Sequence, residues 1–244
     1  MGLERAFRED YIGEFLIHSR TLTNGIYEED REWIPNTVNL DIASDSAVVF
    51  GNGMSRIDFQ LKWIKRHRGG HLNKHKLHSY GCNAFYRDYD PDFLIIAGDG
   101  MAKEIAESDY IDDHIVYAQS KFLSKYPGKF HLIPYGVKCN AGSMATYLAA
   151  FDGFKKIYLV GFDTHDTEGL NNNMYAGTEN YDDEKVDICD DKWSNVMYQI
   201  FRRFHDVHFY RVMPGPNPVT PENWKGCLNY QNITYRQFIS YADL

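Results

Sequence analysis

The rhythm of apolar and polar positions changes near residue 46. Before it, Gly13 to Arg20 alternates apolar and polar in part, Thr23-Asn24-Gly25 supplies a turn, and Ile26 to Trp33 returns. Alternation about an Asn-Gly pair predicts a β-hairpin, closed by Pro35, that serves as an edge ribbon or an oligomer contact. After it, short apolar runs alternate with amphipathic stretches. Ala47 to Phe50 reads as a buried strand, Gly51-Asn52-Gly53 as a turn, and the spacing of Ile57, Leu61 and Ile64 as one face of a helix starting near Ser55. Further strands are predicted at Leu77 to Cys82, Phe93 to Ala97, His114 to Ala118, Ile157 to Val160 and Val207 to Val212, with a short one at Leu132-Ile133. Helices are predicted at Met101 to Ser108, Gly142 to Phe151 and Trp193 to Phe204. Strands and helices in alternation define an α/β protein with a doubly wound, mostly parallel sheet, which binds ligands at the carboxyl ends of its strands.

The order divides the chain into an N-terminal hairpin extension at 1–45, a nucleotide-binding domain at 46–213 and an irregular tail at 214–244. Residues 164–190 are polar, rich in glycine and asparagine, and too long for an ordinary connector, which makes them a candidate lid.

Composition narrows the function. The 244 residues carry 34 acidic and 26 basic side chains, a net charge of −8, so a general nucleic-acid coat is not expected and any phosphate site must be local. Hydrophobic residues make up 43%, enough for a packed core. No run reaches the roughly 18 apolar residues of a membrane span, and the first residues lack the order of a secretion signal, so a cytoplasmic protein is expected. The four cysteines (Cys82, Cys139, Cys189, Cys227) show no C-x-x-C spacing and read as free thiols. Lys62 to His78 is basic and holds four histidines, but Gly69-Gly70 interrupts the helix that would align them, and no metal site is assigned there.

Candidate chemistry lies at the strand ends. In Gly51-Asn52-Gly53-Met54-Ser55, glycine permits close approach of the main chain to a ligand, and a following helix would offer free N–H groups and a positive dipole end to a phosphate. The turn departs from G-x-G-x-x-G because Arg56 stands at the third glycine. Asn83, Asp99, Asn140, Gly142, Ser143 and Asp163 follow other strands or open helices, and a doubly wound sheet brings such positions to one edge. Each also has a local reading: Asp99 as a helix cap, Asn83 as a left-handed turn. His165, between Asp163 and Asp166, is the candidate general acid or base. Asp163 with Asp99 is the alternative, a carboxylate pair for Mg²⁺ on a nucleotide pyrophosphate. Tyr175 and Tyr181 in the lid are placed to stack on a base or bond a phosphate.

Taken together, Val48 to Ser55, Gly81-Cys82-Asn83-Ala84-Phe85-Tyr86, Ala141 to Ala145 and Lys156 to Asp163 resemble the bacterial sialyltransferases of glycosyltransferase family 42. The resemblance implies a Rossmann-like fold of variant GT-A type, a cytidine-monophosphate sugar donor and a glycan acceptor. It assigns donor binding to Asn52, Ser55, Asn83 and the Asn140 to Ser143 turn. The same core is similar to the domains shared by motility accessory factors and 6-hydroxymethylpterin pyrophosphokinases, through Pro91-Asp92-Phe93 and Asp99, which implies a Mg²⁺-dependent phosphotransferase instead. A third reading is a non-catalytic, homo-oligomeric assembly protein of phage type. The resemblance covers about residues 46 to 165. It departs from the sialyltransferases at Met54, where they carry Pro, and in the absence of histidine from Asp166 to Phe204, where their base lies.

Overall fold

The computed structural model describes residues 2–5, 14–35, 45–65, 77–133, 140–164, 172–182, 191–242 and 244. The hairpin forms from β2 (Glu14–Thr23) and β3 (Ile26–Pro35), with Asn24 and Gly25 both at positive φ, 53° and 77°. That pair of left-handed residues matches the twist of a two-residue hairpin turn. The hairpin is joined to the rest through β1 (Gly2–Arg5), which pairs antiparallel with β2 and parallel with β8 (His131–Leu132). It therefore extends the central sheet as an edge ribbon.

The remaining strands are β4 (Ser46–Phe50), β5 (His78–Cys82), β6 (Phe93–Ile95), β7 (Val116–Ala118), β9 (Lys156–Val160), β10 (His208–Met213) and β11 (Tyr230–Thr234). All lie in one eleven-stranded sheet of order β11-β10-β9-β4-β5-β6-β7-β8-β1-β2-β3, parallel from β11 through β1. From β4 the chain steps outward through β5 to β8, then returns to lay β9 on the other side of β4. The strand order reverses between β4 and β9, and that is where an open parallel sheet leaves a crevice.

Successive residues of the central strands face opposite layers, both closed. Ala47, Val49, Ile157 and Leu159 pack with Met144 and Leu148 of α5 (Ala141–Phe151) and Met197 and Phe201 of α6 (Asp191–Arg203). Val48, Phe50, Tyr158 and Val160 pack with Ile64 of α1 (Lys62–Lys65) and Phe238 of α8 (Tyr235–Tyr241). Next to them, Leu94, Ile96 and Val116 meet Met101 and Ile105 of α2 (Asp99–Ala106), Ile111 of α3 (Tyr110–Asp113) and Phe122 of α4 (Ser120–Lys125). Burial on both faces explains why these strands read as unbroken apolar runs. Among the described residues no helix is long and apolar enough to cross a membrane.

Two expectations are corrected. No continuous helix starts near Ser55: the chain makes a 3-10 turn at Met54–Arg56, and α-helix begins only at Lys62. Ile57, expected inside, is 60% exposed, while Phe59 and Ile64 are buried. The tail is not irregular. Beyond Pro214 it forms α7 (Glu222–Lys225), β11 and α8, so that β11 continues the parallel sheet beside β10. A capping box fixes the start of α8: the Thr234 side chain accepts from the Gln237 N–H, and the Gln237 side chain reaches back to the Thr234 N–H.

The loops after β4 and β9 touch backbone to backbone. Gly51 N–H donates to Val160 O at 2.8 Å and Gly53 N–H to Gly161 O at 3.0 Å. A Cβ on Gly51 would collide with the Gly161 carbonyl oxygen, and one on Gly161, which has φ +74°, would sit 2.7 Å from Gly51 O. Gly51→Ala is expected to cost about 1–3 kcal/mol, the range for forcing an added methyl into a packed site. Gly215→Ala, where nothing lies within 4 Å, should change stability by less than about 0.5 kcal/mol. Urea denaturation of the two variants checks the contrast.

Candidate functional site

The glycine turn is not an open phosphate cradle. Besides the N–H groups of Gly51 and Gly53, that of Met54 is taken by Asn172 Oδ1 at 2.8 Å and that of Ser55 by Asp163 Oδ2 at 2.9 Å. With these donors engaged and only a 3-10 turn behind them, the expected pairing of free N–H groups with a helix dipole is absent at this turn. Asn172 and Asp163 are far away in sequence, so nothing local reveals that they capture the turn.

Oxygen atoms are left over. Asn52 Oδ1, Ser55 Oγ and Asp163 Oδ1 are buried with no hydrogen-bond partner in the described structure, all on the two loops that meet at the reversal of strand order. Buried polar atoms are nearly always satisfied, and each orphan carries a desolvation penalty of about 1–3 kcal/mol, so a cluster of three marks a place for bound groups. Two are pure acceptors and the third is a hydroxyl, a set that suits hydroxyl or amine donors better than phosphate oxygens. Asp163 is only 6% exposed. Tyr235, at the first position of α8, donates its hydroxyl to the Ser55 carbonyl, and burial, with the nearby Asp163 charge, raises its pKa. The C-terminal α8 thus braces the turn.

Residues 172–182, part of the proposed lid, lie across this edge. Met174 N–H donates to Asn52 O at 2.8 Å, and the Tyr181 hydroxyl accepts from Asn52 Nδ2 at 3.2 Å and more weakly from Ala84 N at 3.4 Å. Burial pushes the Tyr181 phenol up to about 12. Tyr175 covers Arg56, which is 2% exposed and lies 4.7 Å above the Phe85 ring. Arg56 Nη2 donates to the Tyr175 hydroxyl at 2.9 Å, and that hydroxyl donates to Asp88 Oδ2 at 2.6 Å. Outside this, Arg87 donates to Glu104 Oε2 at 2.7 Å and to Thr178 Oγ1 at 3.0 Å, while Asn180 Nδ2 reaches Glu104 Oε2 at 2.5 Å. Arg56, Arg87 and Glu104 were not singled out from sequence. Only Arg56 left a trace there, as the residue replacing the third glycine.

The other predicted residues take local roles as well. Asn83 has φ 49°, the left-handed turn, and its Oδ1 accepts from Ala97 N at 2.8 Å, tying the loops after β5 and β6. Asn140 caps α5 by accepting from Ser143 N at 2.9 Å and Ser143 Oγ at 3.1 Å. Gly142 lies against the Phe162 ring, which brings the start of α5 to the loop after β9. Asp99 does not cap its own helix, whose cap position is Gly98; it is 66% exposed and paired with Lys121 and Lys125, and the hydrogen bond from Lys121, with the charges of both lysines, lowers its pKa. It is therefore held toward α4 rather than offered with Asp163 to a cation. No group of three or more His, Cys, Asp or Glu is placed as metal ligands among the described residues. His165 lies outside the described residues.

The fold and this edge define a doubly wound α/β protein with unsatisfied polar atoms gathered at its strand-order reversal. The chain is similar to two solved structures. One is the monofunctional alpha-2,3-sialyltransferase Cst-I from Campylobacter jejuni, 14% identical with a TM-score of 0.45, covering 69% of this chain and 75% of that one. The other is an alpha-2,3-sialyltransferase from Campylobacter jejuni in apo form, 15% identical with a TM-score of 0.38, covering 69% and 76%. No protein family and no curated protein sequence matches the chain.

The strap formed by 172–182 should respond to acid. Burial tends to raise the Glu104 pKa, but hydrogen bonds from Arg87 and Tyr86 outweigh it and hold the carboxyl below its ordinary 4.5. A depressed carboxyl stabilises the folded arrangement fully above its unfolded pKa and loses that contribution as pH falls through the folded value. Deuterium uptake in 172–182, corrected for intrinsic exchange, is expected to rise in the wild type as the pH falls below the ordinary carboxyl value of 4.5. In Glu104→Gln it should already be raised at neutral pH and lack that acid step.

Proposed function

We propose that the chain is a nucleotide-sugar-dependent glycosyltransferase, sialyltransferase-like, that uses a cytidine-monophosphate type of donor and a glycan acceptor. One observation carries the reading: three unsatisfied buried oxygens, on Asn52, Ser55 and Asp163, are gathered at the reversal of strand order. The sequence segments that resemble the sialyltransferases contain all three residues.

In this reading Asn52 and Ser55 accept and donate to the hydroxyl-bearing nucleoside portion of the donor. Asn83, whose side chain steadies the loop after β6, shapes the neighbouring wall. Asn140, Gly142 and Ser143 form the start of α5, whose N-terminal end faces the same edge and favours the negative charge of the departing nucleotide. Asp163 orients the sugar, with its Oδ2 fixed by the Ser55 N–H. His165, two residues beyond, is the base: it takes the proton of the acceptor hydroxyl as that oxygen attacks the anomeric carbon. The bond from that carbon to the phosphate oxygen breaks, and the nucleotide monophosphate leaves with the electron pair. Tyr175 and Tyr181 remain protonated, since burial raises both pKa values, and the neutral Tyr181 hydroxyl accepts from Asn52 and Ala84.

Ser55→Ala separates binding from folding. Removing an unpartnered buried hydroxyl should leave apo stability unchanged or slightly higher, while a lost ligand contact of about 1 kcal/mol lowers affinity roughly fivefold. Thermal shift with cytidine, uridine, adenosine and guanosine monophosphates is expected to show stabilisation by the cytidine nucleotide first, reduced in Ser55→Ala. A wild-type protein indifferent to cytidine nucleotides would sink the proposal.

A further inference from the structure

Arg211 of β10 is wholly buried, at 0% exposure. Its company is neutral: Nη1 donates to Val219 O at 2.8 Å, Nη2 to Thr164 Oγ1 at 3.2 Å, the Trp224 ring lies 5.9 Å away, and Nε has no partner. No carboxylate forms an ion pair with it among the described residues. A buried charge without a counter-charge is costly, and proteins normally pair or neutralise it. The guanidinium also neighbours the Tyr230 hydroxyl, whose pKa burial raises and Arg211 pulls back.

Val219 and Tyr230 form part of the wall of an open cleft of about 500 Å³, lined further by Pro218, Thr220, Lys225, Gln231 and Asn232. Its polar wall is ordered by a relay in which Tyr230 donates to Asn232 Oδ1 at 2.8 Å and Asn232 Nδ2 to Thr220 Oγ1 at 2.8 Å. Lys225 stands at the rim, exposed, and pairs with the exposed Glu222. Hydroxyl and amide groups in sequence along one wall suit a ligand with several hydroxyls, and the positive charge behind that wall suits one with an anionic group. Thr164 adjoins Asp163, so the cleft neighbours the crevice through the residue that Arg211 holds.

We propose that this cleft, built by the C-terminal β10–α7–β11 region, binds an acidic monosaccharide unit, with its carboxylate drawn to the Arg211 and Lys225 side and its hydroxyls on Thr220 and Asn232. Its use as the acceptor subsite rests on the glycosyltransferase reading, whereas binding itself does not.

The test is ligand-observed NMR titration of the full chain, without nucleotide, using glucuronate and glucose as probes. Glucuronate is expected to bind at least tenfold more tightly than glucose. Lys225→Gln, on the exposed rim, and Asn232→Ala should each weaken glucuronate binding severalfold and leave the thermal shift by cytidine monophosphate unchanged. Arg211→Met should abolish it. Should that variant fail to fold, the rim variants still decide. No binding of glucuronate, equal binding of glucose, or glucuronate binding untouched by both rim variants overturns the proposal. A missing cytidine shift beside intact glucuronate binding would instead remove only the donor reading.

Discussion

The candidate site depends on two glycines that let two loops touch. Gly51 and Gly161 follow the two strands between which the sheet reverses its order, and their backbones approach so closely that neither tolerates a Cβ. The contact brings the Asp163 carboxylate under the Met54–Arg56 turn, where Ser55 N–H fixes one of its oxygens and leaves the other buried and unpaired. A carboxylate in that position replaces the anion that a glycine turn ordinarily receives from a ligand. The site is therefore rich in acceptors, and the chemistry it invites is that of hydroxyl and amine donors.

Around that contact the protein is layered by sequence distance. The 172–182 strap and the C-terminal α8 both reach the 51–55 turn, through Asn172, Met174 and Tyr181 on one side and Tyr235 on the other. Arg56 lies beneath the strap, with its charge shared between Tyr175, Asp88 and two aromatic faces. Such a buried network is favourable only while all its members are in place, which couples the order of the strap to the shape of the crevice.

What was legible in the sequence follows from what is local. Ala47 to Phe50 and Ile157 to Val160 are buried on both faces, so their apolar runs and the glycines that end them stand out. The Asn24-Gly25 hairpin declares itself through two residues that accept positive φ. By contrast, Ile57, Leu61 and Ile64 have helical spacing but share no continuous helix: Met54 and Ser55 give their N–H groups to side chains more than 100 residues away, and only Ile64 falls within α1. β11 was missed because Tyr230–Thr234 is an edge strand with only Ile233 fully buried. The site residues were half legible: strand ends named Asn52, Ser55 and Asp163, but also Asp99 and Asn140, whose partners here are lysines and a helix cap. Arg56 and Arg211 gave no periodic signal, since burial of a lone arginine is decided by tertiary packing.

The central claim is that the crevice between the loops after β4 and β9 takes a nucleotide. Backbone amide chemical-shift mapping with cytidine monophosphate tests it most directly. The account predicts that the largest perturbations fall on residues 51–55 and 161–164, with smaller ones on the 172–182 strap. Perturbations confined to other surfaces, or none at saturating nucleotide, would contradict it.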